Sequence, residues 1–137
     1  MKNQNLILWE EIFANNEWGK YPALSVIKFI ARSFYKVPNR KEIKILEIGS
    51  GTGANLWFCA REGFSVIALE GSQSAINTMK KRFEEERIDS NVLKYSCGDY
   101  YKTLDEIENN SLNAIIDMES LYCNSFYYSR KNHRKVF

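Results

Sequence analysis

The stretch ILEIGSGTGANLWF, residues 45–58, decides how this chain folds. Lys44 to Gly49, KILEIG, is a short apolar run rich in isoleucine, and it reads as a β-strand. Glycines at 49, 51 and 53 follow. Residues without a Cβ let the backbone turn sharply and let a ligand approach it closely. The next segment, GANLWFCAREG, reads as a helix with Gly63 placed to cap its C-terminus. Strand, glycine turn and helix in direct succession form the first half of a βαβ unit.

The alternation continues downstream. SVIALEG (65–71) is the next strand, and SQSAINTMKKRFEEER (72–87) is a helix with Ile76, Met79 and Phe83 on one face. NVLKYSCGD (91–99) contains a third strand and NAIIDM (113–118) is a fourth. Between them YYKTLDEIE offers a helix that Asp99 can N-cap. Short strands separated by helices imply right-handed crossovers and a mostly parallel sheet covered on both faces, the α/β class. Upstream lie two helical stretches. NLILWEEIFANN carries Leu6, Trp9, Ile12 and Phe13 at helical spacing; PALSVIKFIARSFYK opens with Pro22 and shows a stripe of Leu24, Ile27, Ile30 and Phe34. VPNRKE, with Pro38, links them to the first strand. In Lys80–Arg87 cations precede acids by four residues, the pattern of a solvated helix face.

The 137 residues suit one domain, and 45% hydrophobic with 26% charged residues is the balance of a globular protein. A net charge of +2 gives no basis for nucleic acid or an anionic membrane as partner. Cys59, Cys97 and Cys123 are odd in number and far apart, which argues against a disulfide framework or a zinc site, so no metal is expected. The apolar stretch Leu6–Trp9 is too short for a signal-peptide core, and no run reaches the ~18 residues of a membrane span. The expected location is the cytoplasm, with reduced thiols.

The glycine loop admits two ligands. Gly49-x-Gly51-x-x-Ala54 satisfies the fingerprint of dinucleotide enzymes, whereas Glu47-x-Gly49-x-Gly51-x-Gly53 places a carboxylate inside the strand. Glu70 ends the second strand, 21 positions after Gly49, where a carboxylate accepts ribose hydroxyls in either case. Glu47 separates the two. A strand buried on both faces is apolar unless a ligand needs the charge. A pyrophosphate would be repelled by Glu47, whereas an ammonium or sulfonium would be attracted. Asp99, after Cys97 and Gly98, offers an acceptor for an adenine amino group, and the same residue can also serve as a helix cap.

The set LEIGSGTG, ALEGS, CGD and NAIIDM resembles the class I S-adenosylmethionine (SAM)-dependent methyltransferase family over about Lys44 to Met118. The resemblance implies a Rossmann-like three-layer sandwich with strand order 3-2-1-4. It divides the chain into a helical cap, 1–40, and a SAM-binding half-domain, 41–137. Glu47 with Gly49, Ser50, Gly51 and Gly53 would then hold the methionine portion of SAM, Glu70 and Gly71 the ribose, and Gly98 and Asp99 the adenine. Asp117 and Met118 would border the methionine end. Asp117 and Glu119 are the candidate general bases, and Trp18 and Tyr21 in the segment WGKYP are candidate lid or substrate contacts. The acceptor is expected to be a small molecule.

The family's sheet has seven strands, and four are legible here. The tail ESLYCNSFYYSRKNHRKVF reads as one helix, with Arg130, Lys131, Arg134, Lys135 and His133 on a solvated face. A truncated or split methyltransferase is therefore expected. Its apolar fourth strand would be an exposed edge, open to a partner chain or to self-association. Two alternatives stay open: a fragment of an NAD(P)-binding oxidoreductase, and a non-catalytic SAM-binding or interaction module.

Overall fold

The computed structural model describes residues 3–123. Four strands, β1 (Lys44–Ile48), β2 (Ser65–Glu70), β3 (Val92–Cys97) and β4 (Ala114–Asp117), form one parallel sheet in the order β3-β2-β1-β4. This is the expected Rossmann-like order. β2 is buried along its whole length and β1 everywhere except Lys44, which is why their sequences are apolar runs rather than alternations. The basic tail cluster and His133 lie outside the described residues.

Side chains on a strand alternate between faces, so parity assigns them to layers. Ile45, Val66, Ala68, Ala114 and Ile116 pack into one cluster with helices α2 (Leu24–Phe34), α3 (Ala54–Arg61) and α4 (Gln73–Glu85). Leu46, Ile48, Ile67 and Leu69 face the other way, against Leu104 and Leu121. By the same parity Glu47 and Glu70 share the first face, and Asp117 falls on the second.

Local signals set the element ends. Ser72 caps α4 by accepting from the Ala75 amide at 3.1 Å. At the C-terminus of α3, Gly63 has φ of 93° and bonds Ala60, while Phe64 bonds Cys59, a Schellman stop. Gly53 opens α3 at φ of 85°, and a Cβ there would lie 2.5 Å from Met79 Sδ. Asp99 does cap the crossover between β3 and β4, at 2.9 Å from the Tyr101 amide. The helix it starts, α5 (Tyr100–Thr103), is one turn that tightens into a 3₁₀ turn over Leu104–Glu106.

The expected stripe of α1, Leu6, Trp9, Ile12 and Phe13, is its partly buried side, whereas α2 is buried on a face shifted from the expected one. On α2 the buried residues are Val26 and Ile30, whereas Leu24 is 63% exposed. Spacings of three and four fit both stripes, and only the position of α3 selects one of them. Pro22 lies one residue before the cap, whose amide, Ala23 N–H, donates to Asn55 Oδ1 at 2.9 Å. Helix α1 (Gln4–Asn15) has no fully buried residue. It is tied to α4 by Glu10, which accepts from Ser72 Oγ at 2.6 Å and Ser74 Oγ at 2.5 Å. Arg82 is not on the solvated face. It lies over the Trp57 ring at 4.3 Å and donates to Glu86 and to the Lys20 carbonyl, clamping the α1–α2 linker onto the domain.

Gly53→Ala combines a left-handed backbone with a buried steric clash, and each effect is worth about 1–3 kcal/mol. The expected result is a loss of at least about 2 kcal/mol in urea denaturation. A loss below half of that would show that Met79 yields freely.

Candidate functional site

The carboxyl ends of β1, β2 and β4 open into a cavity of about 640 Å³, roofed by α1 and the α1–α2 linker. At its floor the Glu47 side chain is buried, and one oxygen accepts from Asn55 Nδ2 at 2.8 Å. The other oxygen, Oε2, has no hydrogen-bond partner among the described residues, nor does the nearby buried Ser50 Oγ. Burial pushes the Glu47 pKa up from 4.5 to about 8. The Asn55 bond opposes this shift, and the charges of Glu70 and Asp117 add to it. An acid in such a place is costly unless a donor arrives from outside the chain.

Glu70 is equally enclosed but better supplied. Its two oxygens accept from the Gly51 amide at 2.7 Å and the Ser72 amide at 3.0 Å. Desolvation still raises its pKa, outweighing those backbone bonds. Each oxygen keeps a second lone-pair direction, which suits two further donors such as vicinal hydroxyls. Gly51 has φ of 55°, and this bend presents its amide to Glu70. A Cβ there would come within 3.3 Å of Phe13 of α1.

Of the residues selected from sequence, Glu47, Gly49, Ser50, Gly51, Glu70, Gly71, Asp99, Met118, Glu119, Trp18 and Tyr21 all line this cavity. Gly53, Gly98 and Asp117 are not among its lining residues. Gly53 serves the packing of Met79. Asp117 falls on the opposite sheet face, and its Oδ1 accepts from the Ser120 amide at 2.9 Å and the Leu121 amide at 3.2 Å. Two residues on, Glu119 takes a left-handed backbone, φ 65°, and lines the cavity.

Sequence reasoning missed several wall residues. Asn55 holds both Glu47 and the start of α2; its position just after the glycine loop is the available signal. Tyr100 receives a bond from Ser120 Oγ at 3.0 Å, and burial first, then Glu70, raises its pKa. Trp9 and Phe13 stack at 5.7 Å, and Trp18 meets both edge-on at 6.2 and 5.1 Å. Nothing in a helical apolar stripe separates a cavity wall from a core.

A family model described as "Methyltransferase domain" matches residues 45–136. No curated protein matches the sequence. Among solved structures, one studied for the conversion of a disulfide bond into a thioacetal group during echinomycin biosynthesis is similar at a TM-score of 0.79 and 14% identity. It covers 96% of this chain and 54% of its own. One named provisionally as an S-adenosyl-L-methionine-dependent methyltransferase from Methanococcus maripaludis is similar at 0.66 and 19%, over 98% of this chain and 58% of its own. Phosphoethanolamine N-methyltransferase 2 of Haemonchus contortus, solved with S-adenosyl-L-methionine, is similar at 0.65 and 21%, over 97% and 29%. The chain thus spans a little over half the length of the first two. At these identities the likeness is one of fold.

The raised pKa of Glu47 has a measurable sign. A carboxyl that holds its proton more tightly when folded stabilises the fold fully below about pH 4.5 and loses that contribution as pH rises to about 8. Thermal unfolding of the free protein is therefore expected to weaken across this window. Glu47→Gln, which carries no charge, should flatten the slope and stabilise the protein at pH 8.5 by about 1–3 kcal/mol. A slope unchanged by this substitution would assign the titration elsewhere.

Proposed function

The chain belongs to the methyltransferase-domain family, and from the arrangement of its cavity we propose that it binds SAM and serves methyl transfer to a small-molecule acceptor. The observation that carries this reading is the unpartnered Glu47 Oε2 at the foot of the glycine loop. An arriving ammonium, as in a methionine moiety, favours its ionised form, whereas the pyrophosphate of a dinucleotide would be repelled by that form and offers this oxygen no donor. That contrast disfavours the oxidoreductase alternative.

In this reading Glu47, held by Asn55, anchors the amino group while the loop from Gly49 to Gly51 lies along the methionine chain. Glu70 takes the ribose hydroxyls on its free lone pairs, and Asp99 takes the adenine amine while still capping α5. SAM held there would supply an electrophilic methyl group to an acceptor lone pair, with S-adenosylhomocysteine as the leaving product. The chain contributes alignment and exclusion of water, the main source of rate for such a displacement. Glu119, on the cavity wall, is the candidate to hold an acceptor proton. Asp117 positions the Ser120 and Leu121 amides instead.

Calorimetry with SAM, S-adenosylhomocysteine and NAD tests the reading. Both sulfur nucleosides are expected to bind, NAD is not, and binding at pH 7 should release protons because Glu47 must ionise. Affinity then rises with pH and levels off near pH 8. Glu47→Gln should weaken SAM at least about tenfold, one lost charge-assisted bond. Binding of NAD alone would overturn the proposal.

Asp99 needs a separate test because it also caps a helix. Asp99→Ala should cost about 0.5–2 kcal/mol in stability as well as affinity. Asp99→Asn keeps the cap and should leave the unfolding midpoint in place while weakening S-adenosylhomocysteine severalfold. Unchanged affinity in that variant would remove Asp99 from the nucleoside site.

A further inference from the structure

We propose that the outer half of the cavity, under α1, is a subsite for an organic cation, so that the acceptor is an amine or ammonium compound. This rests on the reading of the inner half as the SAM site. Two features of the wall carry it, one of charge and one of shape.

Four carboxylates line the cavity, Glu47, Glu70, Asp99 and Glu119, and no described lining residue is Lys, Arg or His. An acceptor bearing a phosphate or carboxylate would find no cationic side chain on this wall to pair with. Glu47, Glu70 and Asp99 lie at the strand ends with the glycine loop. Glu119 alone is set apart, on a left-handed backbone. The shape comes from the rings. Trp9 and Phe13 lie 28° from parallel, and Trp18 stands against them at 81° and 64°. Two aromatic planes close to a right angle form a corner, and the π-faces of such a corner attract ammonium groups. The protein's own cations occupy other rings: Arg40 lies on Tyr35, Arg61 and Arg82 on Trp57, and Lys80 on Tyr95. Among the described residues none covers the Trp9–Phe13–Trp18 corner. Trp18 lines the cavity and is 48% exposed while it contacts both other rings.

Choline and 3,3-dimethylbutan-1-ol have the same shape and differ by one positive charge, which makes them the deciding pair. Both are titrated into the free protein and into the protein saturated with S-adenosylhomocysteine, with acetate as the anionic control. Choline is expected to bind about tenfold more tightly than the alcohol, and acetate not at all. Trp18→Leu should reduce choline affinity about fivefold or more, with the unfolding midpoint retained because that side chain is half exposed. Glu119→Gln should weaken choline and leave the alcohol unchanged. Equal affinity for choline and the alcohol, tighter binding of acetate, or no binding of choline would overturn the subsite. Failure of S-adenosylhomocysteine to bind, with choline still preferred, would instead overturn the SAM reading and leave the cation site standing.

Discussion

A carboxylate buried at the end of an enclosed strand is the constraint to which the rest of this structure answers. Glu47 occupies a position that the sheet would otherwise fill with an aliphatic side chain, and among the described residues one of its oxygens has no donor. A small domain has little stability to spare for such a group. Asn55 is placed to hold the other oxygen. Glu70 shows how the same fold treats a carboxylate it can satisfy alone, by aiming the Gly51 and Ser72 amides at it.

The period of two along a strand then distributes the chemistry. Glu47 and Glu70 both point toward the α2–α4 layer, at the mouth formed where the glycine loop leaves β1. Asp117 follows the same rule to the opposite face, where it organises the backbone after β4. One residue of parity separates a cavity-lining carboxylate from a structural brace.

Helix α1 closes the arrangement without a core of its own. It has no fully buried residue, and its attachment is polar, from Glu10 to the hydroxyls at the start of α4. Its apolar side faces the cavity through Leu6, Trp9 and Phe13. A side chain at either of two glycine positions would intrude on this space: a Cβ on Gly71 would collide with Leu6, and one on Gly51 would crowd Phe13. The same helix therefore packs against the glycine loop and supplies aromatic residues of the cavity wall.

The family resemblance supplied the strand order, while the sequence by itself determined the four strands, the Ser72 and Gly63 helix boundaries and the placing of Glu47, Glu70 and Asp99 at or just after strand ends. These follow from local rules: apolar runs, caps, glycine turns and charges where burial forbids them. Only the tertiary structure decided which face of α2 is buried, that Arg82 clamps Trp57, that Asn55 holds Glu47, and that Trp9, Phe13 and Trp18 meet as a corner. Those are contacts between segments distant in the chain. A stripe of apolar residues states that a surface will be covered, and only the packed neighbours state by what.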